Sequence, residues 1–139
     1  MKFLPHGTTI MVNSVLVGGL ISVSIPDRTR GEAEVTDTDS AFDREFIPGL
    51  RDGGSVNLSF RFDPEDTGQV ELVTNFNASG TAAIVPVIIE IPAAAISGGQ
   101  TFTFDGFVTA APSGDLALVD DSAAEQTATI RVAGPVAIA

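Results

Sequence analysis

The chain has no cysteine, no tryptophan and no tyrosine, and only one histidine in 139 residues. Without cysteine, neither a disulfide framework nor a thiolate metal site can form. Without Trp or Tyr, the stacking platforms of a carbohydrate or single-strand binder are missing. His6 stands near the N-terminus with no cysteine to pair with in nucleophilic chemistry. Lysine and arginine number 7 against 18 acids, a formal charge of −11, which argues against a protein that grips nucleic-acid phosphates. Long apolar runs are scarce as well. Residues 10–25, IMVNSVLVGGLISVSI, are interrupted by Asn13, Ser14, Gly18, Gly19, Ser22 and Ser24. A spanning helix needs about 20 mostly apolar residues, and no cleavage site precedes Pro26. The stretch reads as a buried strand pair. No export signal and no membrane insertion are expected.

What remains is a sequence of period two. SVNLSFRF sets Val56, Leu58, Phe60 and Phe62 on one face and Asn57, Ser59 and Arg61 on the other. TFTFDGF puts Phe102 and Phe104 inward, and TATIRVAG does the same with Ile130 and Val132. In GEAEVTDT, Glu32, Glu34 and Thr36 share a face opposite Ala33 and Val35. AAIVPVIIEI is apolar nearly throughout, as a strand covered on both faces would be, although Pro86 fits an edge or a bulge. One segment departs from this rhythm. FDPEDTGQVELVTNFNASG offers Asp63 as N-cap, Pro64 at the first helical position, and Glu65 and Asp66 in the first turn. Val70, Val73 and Phe76, with Leu72 alongside, supply an apolar face, and Gly68 weakens the start. The pattern predicts a helix over 64–79. The fold class is therefore mainly β: two packed sheets, a sandwich or partly open barrel, flanked by one helix.

Catalytic and metal chemistry have little to build on, and neither enzyme activity nor a cofactor is expected. Asp37 to Asp43, DTDSAFD, resembles the start of a calcium loop, but Phe42 replaces the glycine and Pro48 the bidentate glutamate. Asp120, Asp121 and Glu125 could hold only a weak cation in an acidic loop over 112–126. Asn57-Leu58-Ser59 and Asn77-Ala78-Ser79 match the glycosylation triplet, which has no meaning without export. Gly98-Gly99 has no Lys or Arg nearby and is too short to cradle phosphate.

The most informative stretch is REFIPGLRDGGS. Phe46, Ile47, Pro48, Gly49 and Leu50 form an apolar burst between charged residues. Pro48-Gly49 continues neither a strand nor a helix easily, so the burst is expected on a long loop over 41–55. An apolar loop is useful when another surface covers it, and self-association into a closed ring would do that.

At this point the sequence resembles the major tail tube proteins of long, non-contractile bacteriophage tails. The likeness lies in SIPD (24–27), EVTDTDS (34–40), REFIPGLRDGGSVNLSFRFDP (44–64), FTFDGFVTAAP (102–112) and ATIRVAGPV near the C-terminus. Thr38 and Phe42 stand where members often have His and Trp. The resemblance implies one tail-tube domain over 1–139, in hexameric rings that stack into a tube through which DNA passes without specific binding. It implies a virion tail location, host cytoplasm during assembly, and tape-measure, terminator and distal tail proteins as partners. Phe46 to Leu50 would be a subunit or ring contact, and segments 1–13 and 135–139 stacking arms. An acidic lumen would repel the duplex; its candidate lining is Glu32, Glu34, Asp37, Asp39 and Asp105. A second reading is the tube of a contractile tail, a type VI secretion system or a gene transfer agent. A third, from another class, is a monomeric β-sandwich binding module of a secreted adhesin.

Overall fold

The computed structural model describes residues 2, 4–119 and 123–139. Asn13 and Ser14 both have positive φ (52° and 65°), the geometry of a two-residue hairpin turn. They fold β1 (Thr9–Val12) against β2 (Val15–Leu16), with Val12 opposite Val15. The next strand, β3 (Leu20–Val23), does not pair with β2. It joins β6 (Ser55–Arg61) at the far end of an antiparallel sheet ordered β2-β1-β7-β8-β9-β6-β3. The other members are β7 (Val85–Ile91), β8 (Gln100–Ser113) and β9 (Glu125–Val132), and β10 (Ala137–Ile138) adds to β8.

This order forces the sheet to roll. Laid flat, seven strands would set β2 and β3 about 29 Å apart, at roughly 4.8 Å per step. The chain connects them with Val17, Gly18 and Gly19 alone, a reach of at most about 14 Å. The ends must therefore meet, and the two expected layers are opposite walls of one continuous barrel-like sheet. Its interior holds the residues that alternation selected: Val56, Leu58 and Phe60 from β6, Phe102 and Phe104 from β8, and Ile130 and Val132 from β9, all buried. Each such side chain contributes on the order of 1.5–3 kcal/mol.

Four backbone polar groups of the bridge are satisfied from outside it, the first being the Val17 N–H, which donates to the Ile10 carbonyl (3.0 Å). The Gly18 N–H donates to Asp66 Oδ2 (3.0 Å), and the Gly18 carbonyl accepts from Gln69 Nε2 (3.0 Å). The Gly19 carbonyl accepts from the Arg61 N–H (2.8 Å). Gly18 has no room for a side chain against Asp66, and Gly19 sits at φ +68°. Asp66 is the N-cap of helix α1 (Thr67–Asn77), accepting from the Gln69 N–H at 3.0 Å. Asp63 instead closes the preceding turn, accepting from the Glu65 N–H, which delays the helix from its expected start at 64. The helix is thus pinned on the closing bridge by its first turn.

Its second anchor is Asn75, whose Nδ2 donates to the Ala83 carbonyl (2.7 Å) and whose Oδ1 accepts from the Val108 N–H (2.8 Å). Gln69 and Asn75 are buried beside Gly68 and Leu72. That rotates the helix away from the expected packing face: Val70, Val73 and Phe76 remain 45–49% exposed. Hydrogen bonds to fixed backbone groups, with little apolar packing beyond Leu72, set the helix orientation.

Other expectations change for local reasons. Residues 9–12 are not an arm: Ile10 and Val12 are fully buried and β1 lies between β2 and β7. Ala137–Ile138 pairs with β8, and Ala139 exchanges backbone hydrogen bonds with Thr101. β7 is covered on one face only, with Glu90 exposed. Pro86 is tolerated there because β1 pairing ends at Val87, and its carbonyl accepts from the Asn13 N–H (2.9 Å). Among the described residues no helix is long and apolar enough to cross a membrane.

Gly68 tests the pinning. A Cβ there would overlap the Leu16 carbonyl and the Val17 Cα on the bridge. Helix propensity alone favours Gly68→Ala by about 1 kcal/mol. The variant is instead expected to lose about 2 kcal/mol or more through overpacking, read by urea unfolding.

Candidate assembly surface

Residues 29–52 form a separate two-stranded ribbon, β4 (Thr29–Glu34) with β5 (Phe46–Asp52), and every residue of both strands is exposed. The expected loop over 41–55 is therefore mostly strand. The ladder pairs Thr29 with Asp52 and Arg30 with Arg51, then resumes at Glu32–Pro48, Ala33–Ile47 and Glu34–Phe46. Gly49 and Leu50 thus oppose Gly31 alone, a β-bulge. A Cβ on Gly49 would already lie 3.1 Å from the Gly31 carbonyl, so two glycines let the strands approach. Pro48 fits because β5 has only one neighbour, and its missing donor can face the open edge.

Phe46, Ile47 and Leu50 are 48%, 50% and 92% exposed, and Phe42 at the tip is completely so. Pro48 and Gly49 are exposed with them. A two-stranded ribbon is marginal by itself, and apolar side chains without cover are a liability in solution. Local bonds hold the tip. The Val35 N–H donates to the Glu45 carbonyl (2.8 Å) and the Glu45 N–H to Thr36 Oγ1 (2.8 Å). Asp37 Oδ1 accepts from the N–H groups of Asp39 (2.9 Å) and Ser40 (3.1 Å).

At the base, Arg131 Nη2 on β9 donates to both carboxylate oxygens of Asp52, each at 2.7 Å. The Gly54 N–H adds a third bond (2.8 Å). Hydrogen bonding from Arg131 first, then from Gly54, holds the Asp52 carboxyl below its ordinary value of 3.8. Beside this pair a groove of about 910 Å³ runs between the ribbon and the segment after β9.

The sequence-predicted residues are thereby only partly brought together. Glu32 and Glu34 share a face of β4, and Asp37 and Asp39 lie in the tip turn. Asp105 is separate, on the barrel wall opposite Pro86. The Asp37 carboxylate is committed to its own turn, which suits a closed loop more than a calcium ligand. Among the described residues no group of three or more His, Cys, Asp or Glu could hold a metal ion. Asp120 and Asp121 lie outside the described residues. Asn57 is in β6, its Oδ1 accepting from Thr129 Oγ1 (3.0 Å). The bulge, the Arg30–Arg51 pairing and the Asp52–Arg131 contact were not foreseen. The first two leave traces, in Gly31 set against Pro48-Gly49 and in arginines at 28, 30 and 51.

No protein-family model and no curated protein matches the chain by sequence. Solved structures do match. A chain of the sheath/tube terminator of the extracellular contractile injection system PVC, in its extended state, has a TM-score of 0.74 at 17% identity. That match covers 100% of this chain and 97% of the other. A chain of the tube-terminating cap of the anti-feeding prophage gives 0.75 at 17%, over 100% and 91%. A chain from the tail of an empty GTA particle with C6 symmetry gives 0.64 at 17%, over 89% and 84%. Identities this low establish the fold alone: the chain has a fold found in phage-like tail and injection particles. That fold is shared beyond the non-contractile tails expected first, and reaches the contractile particles of the second reading.

Asp52 provides a pH test. Its value is depressed in the fold, so its contribution is fully present above about pH 3.8 and is lost as the pH falls through the lower folded value. Asp52→Asn removes that dependence. The difference in melting temperature between parent and variant should shrink between pH 6 and pH 2; a constant difference would show that the charge is not what Arg131 holds.

Proposed function

We propose that the chain is a ring-forming structural component of the tube, or of the cap that ends the tube, in a phage-like tail or injection particle. The observation that carries this reading is an exposed, apolar, two-stranded ribbon on a barrel whose whole-length fold matches terminator and cap chains. The ribbon stands apart from the main sheet, with an open edge on each strand and Phe42, Phe46, Ile47 and Leu50 exposed along it. A component whose ribbon is covered by neighbouring copies uses this division directly. The contractile-particle and GTA matches favour the second reading over a non-contractile viral tail.

In this proposal copies assemble as hexameric rings, Phe46, Ile47, Pro48, Gly49 and Leu50 lie at the contacts, and the particle's own tail proteins are the further partners. The lumen passes its cargo without specific binding. Glu32 and Glu34, and separately Asp105 on the barrel wall, are its proposed acidic lining. The chain's function is mechanical, with no catalysis assigned.

Electron microscopy of the purified protein over a concentration series tests the reading. Rings, or stacked rings with a central hole, are expected, and a map should put Glu32, Glu34 and Asp105 on the inner wall. Replacing Phe46, Ile47 and Leu50 together by serine should abolish the rings, with monomer stability changed by less than about 1 kcal/mol because the sites are exposed. Monomers at every concentration count against the proposal.

A further inference from the structure

The cations of this acidic chain are unevenly distributed. Four of the seven, Arg28, Arg30, Arg51 and Arg131, line a single groove at the base of the ribbon, beside a smaller one that Arg131 and Asp52 also border. Asp52 neutralises Arg131. Among the described residues Arg28, Arg30 and Arg51 have no carboxylate within salt-bridge distance. Arg30 and Arg51 are direct partners in the ladder, an arrangement that like charge disfavours. The rest of the groove is largely apolar, with Leu50, Pro135 and Val136 in its walls. A basic rim over an apolar floor fits an occupant that is acidic and carries one large apolar side chain.

The far end of the same ribbon has that composition. Residues 35–45 carry Asp37, Asp39, Asp43 and Glu45 against Arg44 alone, with Phe42 fully exposed among them. The Asp37 carboxylate is used within the turn, but the carboxylates of Asp39 and Asp43 make no hydrogen bond among the described residues. The tip cannot fill its own groove. From Arg30 to Glu34 the strand advances about 13 Å at roughly 3.3 Å per residue, and the tip lies farther out still.

We infer that Asp39, Phe42 and Asp43 of one copy seat in the Arg28–Arg30–Arg51 groove of the next. The inference rests on the tube reading and deepens it by naming the residues that join copies. Phe42 enters against Leu50, Pro135 and Val136, and the two carboxylates meet the unpaired guanidinium groups. The contact is head-to-tail: each copy uses its tip once and its groove once, so association continues from copy to copy. It also answers a difficulty of charge. Copies at −11 repel one another, and cations are gathered where a neighbour's acids arrive. Asp39 thereby leaves the acids expected to line the lumen.

Charge swapping tests this on the intact chain, by sedimentation velocity and light scattering. Asp39→Lys/Asp43→Lys and Arg30→Glu/Arg51→Glu should each raise the concentration for half-assembly at least about tenfold. An equimolar mixture should recover association, because the basic tip of one variant meets the acidic groove of the other. Phe42→Ser, at a site too exposed to affect folding, should weaken assembly as well, and added salt should weaken the parent. If the parent assembles and all three variants assemble equally well, the inference is overturned while the tube reading stands. A parent that stays monomeric at low and high salt overturns both.

Discussion

Val17, Gly18 and Gly19 must carry the chain from one end of the sheet to the other, and that three-residue bridge constrains the rest of the molecule. Three of its polar groups are held by Asp66, Gln69 and the Arg61 N–H, and its glycines leave room for those partners. The same contacts fix the helix, because Asp66 is its N-cap and Gln69 lies in its first turn. Closure of the barrel and docking of the helix are therefore one event, built from hydrogen bonds to backbone as much as from apolar burial. A buried amide that loses its partners costs roughly 1–3 kcal/mol, so these positions tolerate little change.

A sheet that meets its own ends has few edges to offer. The ribbon of β4 and β5 is the opposite case: exposed on both faces, paired along one side of each strand, and carrying three of the seven cations and seven of the eighteen acids. It is tied to the barrel at its base through Asp52 and Arg131, and toward its tip it has only local bonds. The fold thus separates a body with its own buried core from a segment whose apolar side chains are left uncovered.

Much of the body was legible in the sequence. Alternation at Val56–Leu58–Phe60, Phe102–Phe104 and Ile130–Val132 named the core, since one face of each strand is buried. Legibility ended where tertiary contacts outweighed local pattern. Val70, Val73 and Phe76 form an apolar helical face, yet Gln69 and Asn75 turn the helix so that this face is half-exposed. Gly68 read as a weak helix residue, although its missing side chain is what lets the helix reach the bridge. At the candidate surface, the apolar burst was recognised by composition and its exposure followed. Its strand conformation did not, because Pro48-Gly49 normally breaks a ladder and here sits beside a bulge on an edge. The arginine groove was invisible for a different reason: Arg131 joins residues 28–51 only in three dimensions.

The central claim is that the ribbon is uncovered in the single chain and covered by a second copy. Hydrogen exchange measured by mass spectrometry on peptides within 35–52, in monomer and in assembled fractions, addresses it directly. The account predicts slow exchange in the barrel strands in both states, and ribbon amides that slow by at least about tenfold on assembly. Ribbon exchange that stays equally fast in the assembled fraction would contradict it.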